Sequence, residues 1–238
     1  MDRRLFIAGI GAVTAHTAVS KTEAPSQLNA PDAGLPAADF AVVARRTAFM
    51  NVDLQNCFVE GYPTSVAEGP ALLRTLNGFA ASCRGVGVRV IHTAHVLRPD
   101  GSNAGVMAEY IPAIRQGMIN RGSHASALHK DLVIDPKDIV LEKPRFGAFH
   151  GTDLELVLRA TGIDSVIIGG IATNVCCETT AREAAARDFR VLFLSDGTAT
   201  FPFGGLSANQ LQQATCASLK VFGEVLTIER MLGKLKAI

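Results

Sequence analysis

The sequence predicts an α/β fold, a three-layer α/β/α sandwich around a mostly parallel sheet of six strands. From Thr47 onward, short runs of apolar and β-branched residues alternate with longer amphipathic segments. This alternation is typical of parallel strands joined by helical crossovers. The chain has 238 residues, of which 48% are hydrophobic, and this is enough for one sizeable domain.

Six short apolar segments fit strands, and turn residues mark several of their ends. The first segment runs into Asp53, Asp135-Pro136 introduces the third, and Asp196-Gly197 follows the fifth. The predicted strands cover residues 47–53, 88–93, 138–142, 165–169, 190–195 and 225–227.

Four longer segments fit helices. Gly85 and Gly87 close the first of them, because glycine commonly ends a helix, and Thr152 is a suitable cap for the second. The predicted helices cover residues 70–84, 153–160, 174–187 and 207–222. The connection from His95 to Leu132 is long, and we expect it to hold short helices and to act as a functional lid.

Residues 1–39 differ in composition from the rest of the chain. Arg3-Arg4 precedes Phe6 and a weakly apolar stretch rich in Gly and Ala, which resembles a twin-arginine export signal. The alternative is a leader without an export role, or a misplaced start codon. Residues 21–39 read as a flexible linker, so we expect the folded domain to cover residues 40–238. The protein is then periplasmic if the signal is real, and cytoplasmic otherwise.

Charge and composition exclude several classes of function. The formal net charge is +1, so nothing indicates binding to nucleic acid or to an anionic membrane. No apolar run reaches the roughly 18 residues that a membrane-spanning helix needs. The cysteines are five in number and irregularly spaced, which favours neither a disulfide framework nor a zinc site.

Cys176 is the candidate nucleophile. It follows an apolar strand and a Gly169-Gly170 turn, at the start of a predicted helix. The partial positive charge of a helix N-terminus favours thiolate over thiol, and a thiolate is a nucleophile. Asp53 and Lys143 lie at or just past the carboxyl ends of two other predicted strands, and these ends meet at one rim of a parallel sheet. Asp53 would act as general base, and Lys143 would stabilise negative charge.

Three motifs in this order resemble those of the isochorismatase-like cysteine hydrolases, and the resemblance runs from Thr47 to the C-terminus. The motifs are VDLQNCF at 52–58, EKPRFGAF at 142–149 and GIATNVC at 170–176. Residues 138–145 and 172–176 are most similar to the corresponding segments of ureidoacrylate-type amidohydrolases.

The resemblance implies a Rossmann-like fold and a catalytic triad of Asp53, Lys143 and Cys176. It also implies a cis peptide bond at Ile171-Ala172, with the backbone amides of Ala172 and Cys176 forming an oxyanion hole. Gln55, Phe58 and Phe149 would lie near the substrate pocket, and His95 is a further candidate for its wall. Family members commonly form dimers or tetramers, so we expect a homo-oligomer.

The predicted reaction is hydrolysis of a C–N bond in a small amide, ureido or carbamoyl substrate, through a thioester at Cys176. Isochorismate-type vinyl-ether cleavage is the first alternative, but family members with that activity generally lack the cysteine. A non-catalytic binding protein that retains the fold is the second. Cys177 is the rival nucleophile; we interpret it, like Cys57, as a packing residue.

The histidines give no convincing metal site. His92 and His95 are separated by two residues, but no Asp stands two positions before either one, and no third ligand follows at a suitable spacing. We therefore predict no metal and no cofactor. Arg98, Arg121 and Arg145 are each able to bind a substrate carboxylate, and the sequence does not choose among them.

Overall fold

The computed structural model describes residues 37–236, so the predicted export signal and most of the predicted linker lie outside the described residues. Asp39, the last residue of that predicted linker, contacts Lys234 at 2.5 Å. The backbone N–H of Phe40 donates to Glu224. Residues 39 and 40 are therefore held against the C-terminal part of the folded domain.

The six predicted strands form one sheet in the order β3-β2-β1-β4-β5-β6. Every neighbouring pair is parallel, which confirms the predicted sheet and makes it fully parallel. The strands are β1 (Thr47–Val52), β2 (Arg89–His95), β3 (Ile139–Lys143), β4 (Ser165–Ile171), β5 (Arg190–Ala199) and β6 (Glu224–Leu226).

Helices cover both faces of the sheet, as the three-layer prediction requires. They are α1 (Asn56–Val59), α2 (Gly69–Gly85), α3 (Met107–Tyr110), α4 (Pro112–Arg115), α5 (Leu154–Ala160), α6 (Glu178–Ala185), α7 (Ala208–Leu219) and α8 (Ile228–Lys236). Apolar residues of α2 and α8 share a core with Phe49 of β1. Residues of α5, α6 and α7 share the opposite core with Met50, because successive strand residues point to opposite faces.

Three strands are longer than predicted, and one helix begins differently. β2 runs to His95 instead of ending at Thr93. β4 continues through both glycines to Ile171, and β5 continues past Asp196-Gly197 to Ala199. An irregularity in the pairing of these strands, between Ile168 and Gly170, lets β5 carry extra residues through the apparent turn. The predicted helix over 174–187 is a π-helical turn over Thr173–Cys177 followed by α6. Helix α8 was not predicted.

Gly170 is required by the close approach of β1 and β4. Its φ is +128°, and a Cβ built there would lie 2.1 Å from the backbone oxygen of Val52. Only glycine fits both constraints. The double-glycine signal therefore marks a tight strand contact next to the turn that carries Cys176, and it does not mark the end of the strand.

The long connection between β2 and β3 holds the short helices α3 and α4, as predicted. Its apolar residues, including Met107, Ile114 and Ile119, pack in a separate cluster with Cys57. Within residues 37–236, no helix has both the length and the apolar character needed to cross a membrane.

Candidate active site

The three side chains predicted to form the triad meet at the carboxyl edge of the sheet. β1 lies between β2 and β4, where the strand order reverses. Such switch points are where open parallel sheets bind ligands. Asp53 directly follows β1, Lys143 is the last residue of β3, and Cys176 lies in the turn after β4.

Asp53 and Lys143 form a fully buried ion pair, with Lys143 Nζ 2.7 Å from Asp53 Oδ2. The ammonium also donates to the backbone oxygens of Arg145 (3.0 Å) and Phe146 (2.9 Å). These three contacts match the three donors of a lysine. Burial alone would lower the pKa of Lys143, but Asp53 and Cys176 outweigh it and raise that pKa. Lys143 is therefore a fixed positive charge.

Thr93 of β2 holds the other oxygen of Asp53. Its hydroxyl donates to Asp53 Oδ1 at 2.6 Å, and its backbone oxygen accepts from the Asp53 N–H at 3.1 Å. Asp53 has a φ of +53°, a left-handed conformation that Asp tolerates better than most residues. Asp53 Oδ2 is engaged by the ammonium of Lys143, its ion-pair partner.

The turn that carries Cys176 is tied to its surroundings at several points. The peptide bond between Ile171 and Ala172 is cis, as the resemblance implied. The backbone oxygen of Ala172 accepts from the amides of Val175 and Cys177, each at 3.1 Å. Thr200 donates to Asn174 Oδ1 at 2.5 Å. These contacts fix the backbone on both sides of the thiol.

The expectation that the helix N-terminus favours a Cys176 thiolate was wrong for the resting site. Burial raises the pKa of Cys176, Lys143 lowers it and Asp53 raises it. Burial has the largest effect, so the pKa of Cys176 lies well above that of an ordinary thiol. Asp53 and Lys143 both lie close enough to the thiol to shift its pKa. The thiol therefore rests protonated beside a carboxylate that is able to take its proton.

A cavity of about 470 Å³ opens at Cys176. Most of its wall is aromatic or aliphatic, and no Lys, Arg, Asp or Glu among residues 37–236 lines it. Tyr110 and Phe203, which are 60% and 49% exposed, belong to its outer part. The lining residues are Phe58, Thr64, His95, Tyr110, Ile111, Ile114, Ile119, Phe146, Ala172, Val175, Cys176, Phe201 and Phe203.

The structure places two of the four residues expected near the pocket on the cavity wall. Phe58 and His95 line it, but Gln55 and Phe149 do not. The Gln55 amide is buried and bonded to the backbone, accepting from His95 N and donating to the oxygens of His95 and Ser126. Phe149 packs in the core beside Phe189. Both side chains are therefore engaged in contacts of the protein interior, Gln55 with backbone atoms and Phe149 with core residues.

Comparison with known proteins identifies the family. A model of the isochorismatase domain matches residues 47–230. The chain belongs to the isochorismatase family. The prediction of a hydrolase with this fold is thereby confirmed.

Individual relatives of this isochorismatase-family chain agree with that assignment. It is 34% identical over 176 residues to ureidoacrylate amidohydrolase RutB of Methylorubrum extorquens strain AM1, covering 65% of this chain and 70% of the relative. It is 34% identical over 175 residues to nicotinamidase 3 of Arabidopsis thaliana, covering 72% and 79% of the two chains.

A solved structure gives the same result. The fold is similar to that of a cysteine hydrolase from Pseudomonas syringae pv. phaseolicola 1448A, with a TM-score of 0.80 and 31% sequence identity. The match covers 86% of this chain and 99% of that one.

The remaining cysteines of this family member lie away from the cavity wall. Cys177 is fully buried in the core on the α6 side of the sheet, and its burial raises its pKa well above the usual thiol value. Cys57 is packed under the long connection, where burial and then Asp53 raise its pKa to about 12. Neither residue lines the cavity, which supports their interpretation as packing residues.

The structure also shows the contacts of the histidines and arginines that the sequence offered as metal ligands or as carboxylate-binding residues. His92 bridges Asn51 (3.2 Å) and Asp138 (3.0 Å) inside the sheet. Arg121 pairs with Glu142, and Arg145 donates to the backbone oxygens of Asn103 and Pro144. Neither these two arginines nor Arg98 lines the cavity. Within residues 37–236, no group of three His, Cys, Asp or Glu is arranged to hold a metal ion.

His95 is a wall residue that lacks a partner. It is 2% exposed, and its Nε2 has no hydrogen-bond partner among the described residues. Its ring meets that of Phe146 edge to face at 5.6 Å between centroids. Burial, followed by the charge of Lys143, lowers the pKa of His95 to about 3. The imidazole is therefore neutral at ordinary pH.

Sequence reasoning missed Thr93 and most of the cavity wall. Thr93 has no motif of its own, and its role depends on which strand lies next to β1. The wall residues come from the long connection, from Val175 and from the loop after β5. The apolar residues Ile111, Ile114 and Ile119 of the long connection were the one signal available.

Proposed function

We propose that this hydrolase cleaves a C–N bond, other than a peptide bond, in a small amide, ureido or carbamoyl compound. Cys176 is the nucleophile, Asp53 the proton shuttle and Lys143 the fixed charge. The observation that carries the proposal is the buried Asp53–Lys143 pair beside a thiol on the wall of a cavity. The amidohydrolase and nicotinamidase among the relatives support the reaction class.

In the first half of the reaction, Cys176 Sγ attacks the carbonyl carbon while its proton passes to Asp53. The amides of Ala172 and Cys176 stabilise the negative charge that develops on the carbonyl oxygen. Asp53 then gives the proton to the leaving nitrogen. The C–N bond breaks, ammonia or an amine departs, and the acyl group remains on sulfur as a thioester.

In the second half, a water molecule gives one proton to Asp53, and its oxygen attacks the thioester carbon. The C–S bond breaks, the acid leaves, and the proton returns from Asp53 to sulfur. Lys143 contributes by charge throughout, because a fixed ammonium stabilises both the carboxylate and the transient thiolate. The substrate, one water molecule and the side chains of Cys176 and Asp53 balance these steps.

A screen of small amides, ureas and carbamoyl compounds, scored by release of ammonia, tests the proposal. We expect turnover by the wild-type protein and by Cys216→Ala, which changes a cysteine outside the cavity wall. Cys176→Ala is expected to keep the fold and to lose turnover. Full activity in Cys176→Ala would overturn the mechanism.

We further propose that the 238-residue chain forms a homodimer or a homotetramer, as the family resemblance implies. Light scattering coupled to size-exclusion chromatography measures the mass directly. A mass of one chain, 25.1 kDa, at all concentrations would contradict this proposal.

A further inference from the structure

The wall of the cavity at Cys176 is almost entirely apolar. Phe58, Ile114, Ile119 and Phe146 form its inner part, and Tyr110 and Phe203 continue the apolar surface outward. Two of the polar residues on the wall are already engaged: Thr64 donates to the backbone oxygen of Cys57 at 2.7 Å, and Cys176 is the proposed nucleophile.

Two polar groups of this wall remain: the hydroxyl of Tyr110 on its exposed outer part and the imidazole of His95 inside. His95 Nε2 is buried and has no partner among the described residues, and the ring is uncharged because its pKa is lowered to about 3 by burial and by Lys143. A buried polar atom without a partner is unfavourable unless a ligand supplies the hydrogen bond. His95 is therefore placed to meet an uncharged amide or ureido group.

We propose that the substrate of this site is an uncharged amide or carbamoyl compound with an apolar substituent, and that the cavity rejects substrates that carry a carboxylate. The proposal rests on the function proposed above, since it names the substrate class of the same site. It distinguishes this chain from the relatives named ureidoacrylate amidohydrolase, whose named substrate is an acid.

The physical reason is desolvation. An apolar substituent gains free energy by leaving water for an apolar wall. A carboxylate that enters the same space loses its hydration, and no cation on the wall compensates for the loss. Lys143 does not compensate either, because Asp53 and two backbone oxygens already occupy its three donors.

The first experiment compares primary amides with the full chain. Acetamide, butyramide and hexanamide form a series of increasing apolar length, and adipamate replaces the terminal methyl group of hexanamide by a carboxylate. We expect kcat/KM to rise about fourfold per methylene group until the cavity is filled. We expect adipamate to be at least about 100-fold slower than hexanamide. A flat series, or adipamate as fast as hexanamide, would overturn the proposal.

The second experiment needs no turnover, so it separates this proposal from the proposed function. Iodoacetate and N-hexyl iodoacetamide both alkylate a thiol, with the sulfur displacing iodide and releasing its proton. Their rates at Cys176 are normalised to their rates with free cysteine. Preference for the apolar reagent by at least about tenfold supports the apolar site, and preference for iodoacetate overturns it. Such a preference without any amide turnover would overturn only the proposed reaction.

A pair of variants at the exposed part of the wall completes the test. Phe203→Arg adds a cation, and Phe203→Gln adds a polar group without charge. We expect Phe203→Arg to raise the ratio of adipamate to hexanamide turnover about tenfold, and Phe203→Gln to leave that ratio near the wild-type value. If the ratio of adipamate to hexanamide turnover is the same in both variants, the lack of a cation on the wall is not what excludes the carboxylate.

Discussion

Lys143 Nζ lies 2.7 Å from Asp53 Oδ2, and neither side chain is exposed to solvent. The two residues are 90 positions apart in the sequence and come from strands that are not neighbours in the sheet. A buried carboxylate and a buried ammonium are each unfavourable alone and compensate each other as a pair. The pair therefore links the stability of the fold to the proposed chemistry.

Removal of one partner is expected to cost more than removal of both. Lys143→Met leaves the Asp53 carboxylate buried without a cation, and we expect the free energy of unfolding to fall by about 3 kcal/mol. In the double variant Asp53→Asn/Lys143→Met, neither charge of the pair remains. The free energy of unfolding should therefore recover by about 1–2 kcal/mol relative to Lys143→Met. Urea denaturation at neutral pH measures all three proteins.

Amide turnover should not recover in the double variant, although its free energy of unfolding does. Both variants lack a proposed catalytic group, so amide turnover should fall at least about 100-fold in each. A double variant that is no more stable than Lys143→Met, or one that regains turnover, would show that the pair is not coupled as described.

Thr93 is expected to act by holding the Asp53 carboxylate. Thr93→Val keeps the shape of the side chain but removes the donor at 2.6 Å from Oδ1. The loss of one hydrogen bond to a charged group should lower kcat/KM about tenfold. Thr93→Ser retains the hydroxyl, and its kcat/KM should stay within about threefold of wild type. Equal losses in the two variants would point to packing of the methyl group instead.

His95 is expected to make stability depend on pH in the acid range. Its pKa is near 3 in the folded state because of burial and Lys143, against about 6.5 for an unfolded histidine. Between these values the unfolded chain binds one proton more than the folded chain. The stability that neutral His95 contributes is therefore complete above pH of about 6.5 and is lost as the pH falls toward about 3.

The matched variant isolates this contribution. The slope of unfolding free energy against pH due to one such group is about 1.4 kcal/mol per pH unit. We expect His95→Gln to reduce the measured slope between pH values of about 5.5 and 4 by that amount. Other buried groups, including His92, are present in both proteins and cancel in the comparison. An unchanged slope would mean that His95 titrates in the folded state near its ordinary pKa.

Local patterns were enough to locate the strands, and the resemblance to isochorismatase-like cysteine hydrolases selected the three proposed catalytic residues. Asp53, Lys143 and Cys176 each lie beside the end of an apolar segment, and a parallel sheet brings such ends to one edge. Strand bounds were less accurate at β4 and β5, since Gly169, Gly170 and Gly197 look like turn residues in the sequence. Gly169 and Gly170 instead permit the close approach of neighbouring backbone, and Gly197 leaves room for the side chain of Leu194. These contacts depend on how the strands pack, which the local sequence does not determine.

Properties that depend on non-local packing were not predictable in this way. The helix N-terminus suggested a thiolate at Cys176, but burial of that side chain governs its pKa. Gln55 is polar and follows Asp53 closely, yet its amide serves the backbone of His95 and Ser126. Thr93 resembles any other β-branched strand residue, and it acts on Asp53 because β1 and β2 pair in register at Val52 and Thr93.

The central claim is that an acyl group is carried by Cys176, and mass spectrometry of acid-quenched reactions with a hydrolysed amide tests it most directly. We predict a peptide that contains Cys176 and is heavier by the mass of the acyl group, with fragment ions that place the adduct on Cys176 and not on Cys177. Turnover in a protein whose adduct maps to Cys177, or which persists in Cys176→Ala, would contradict the account.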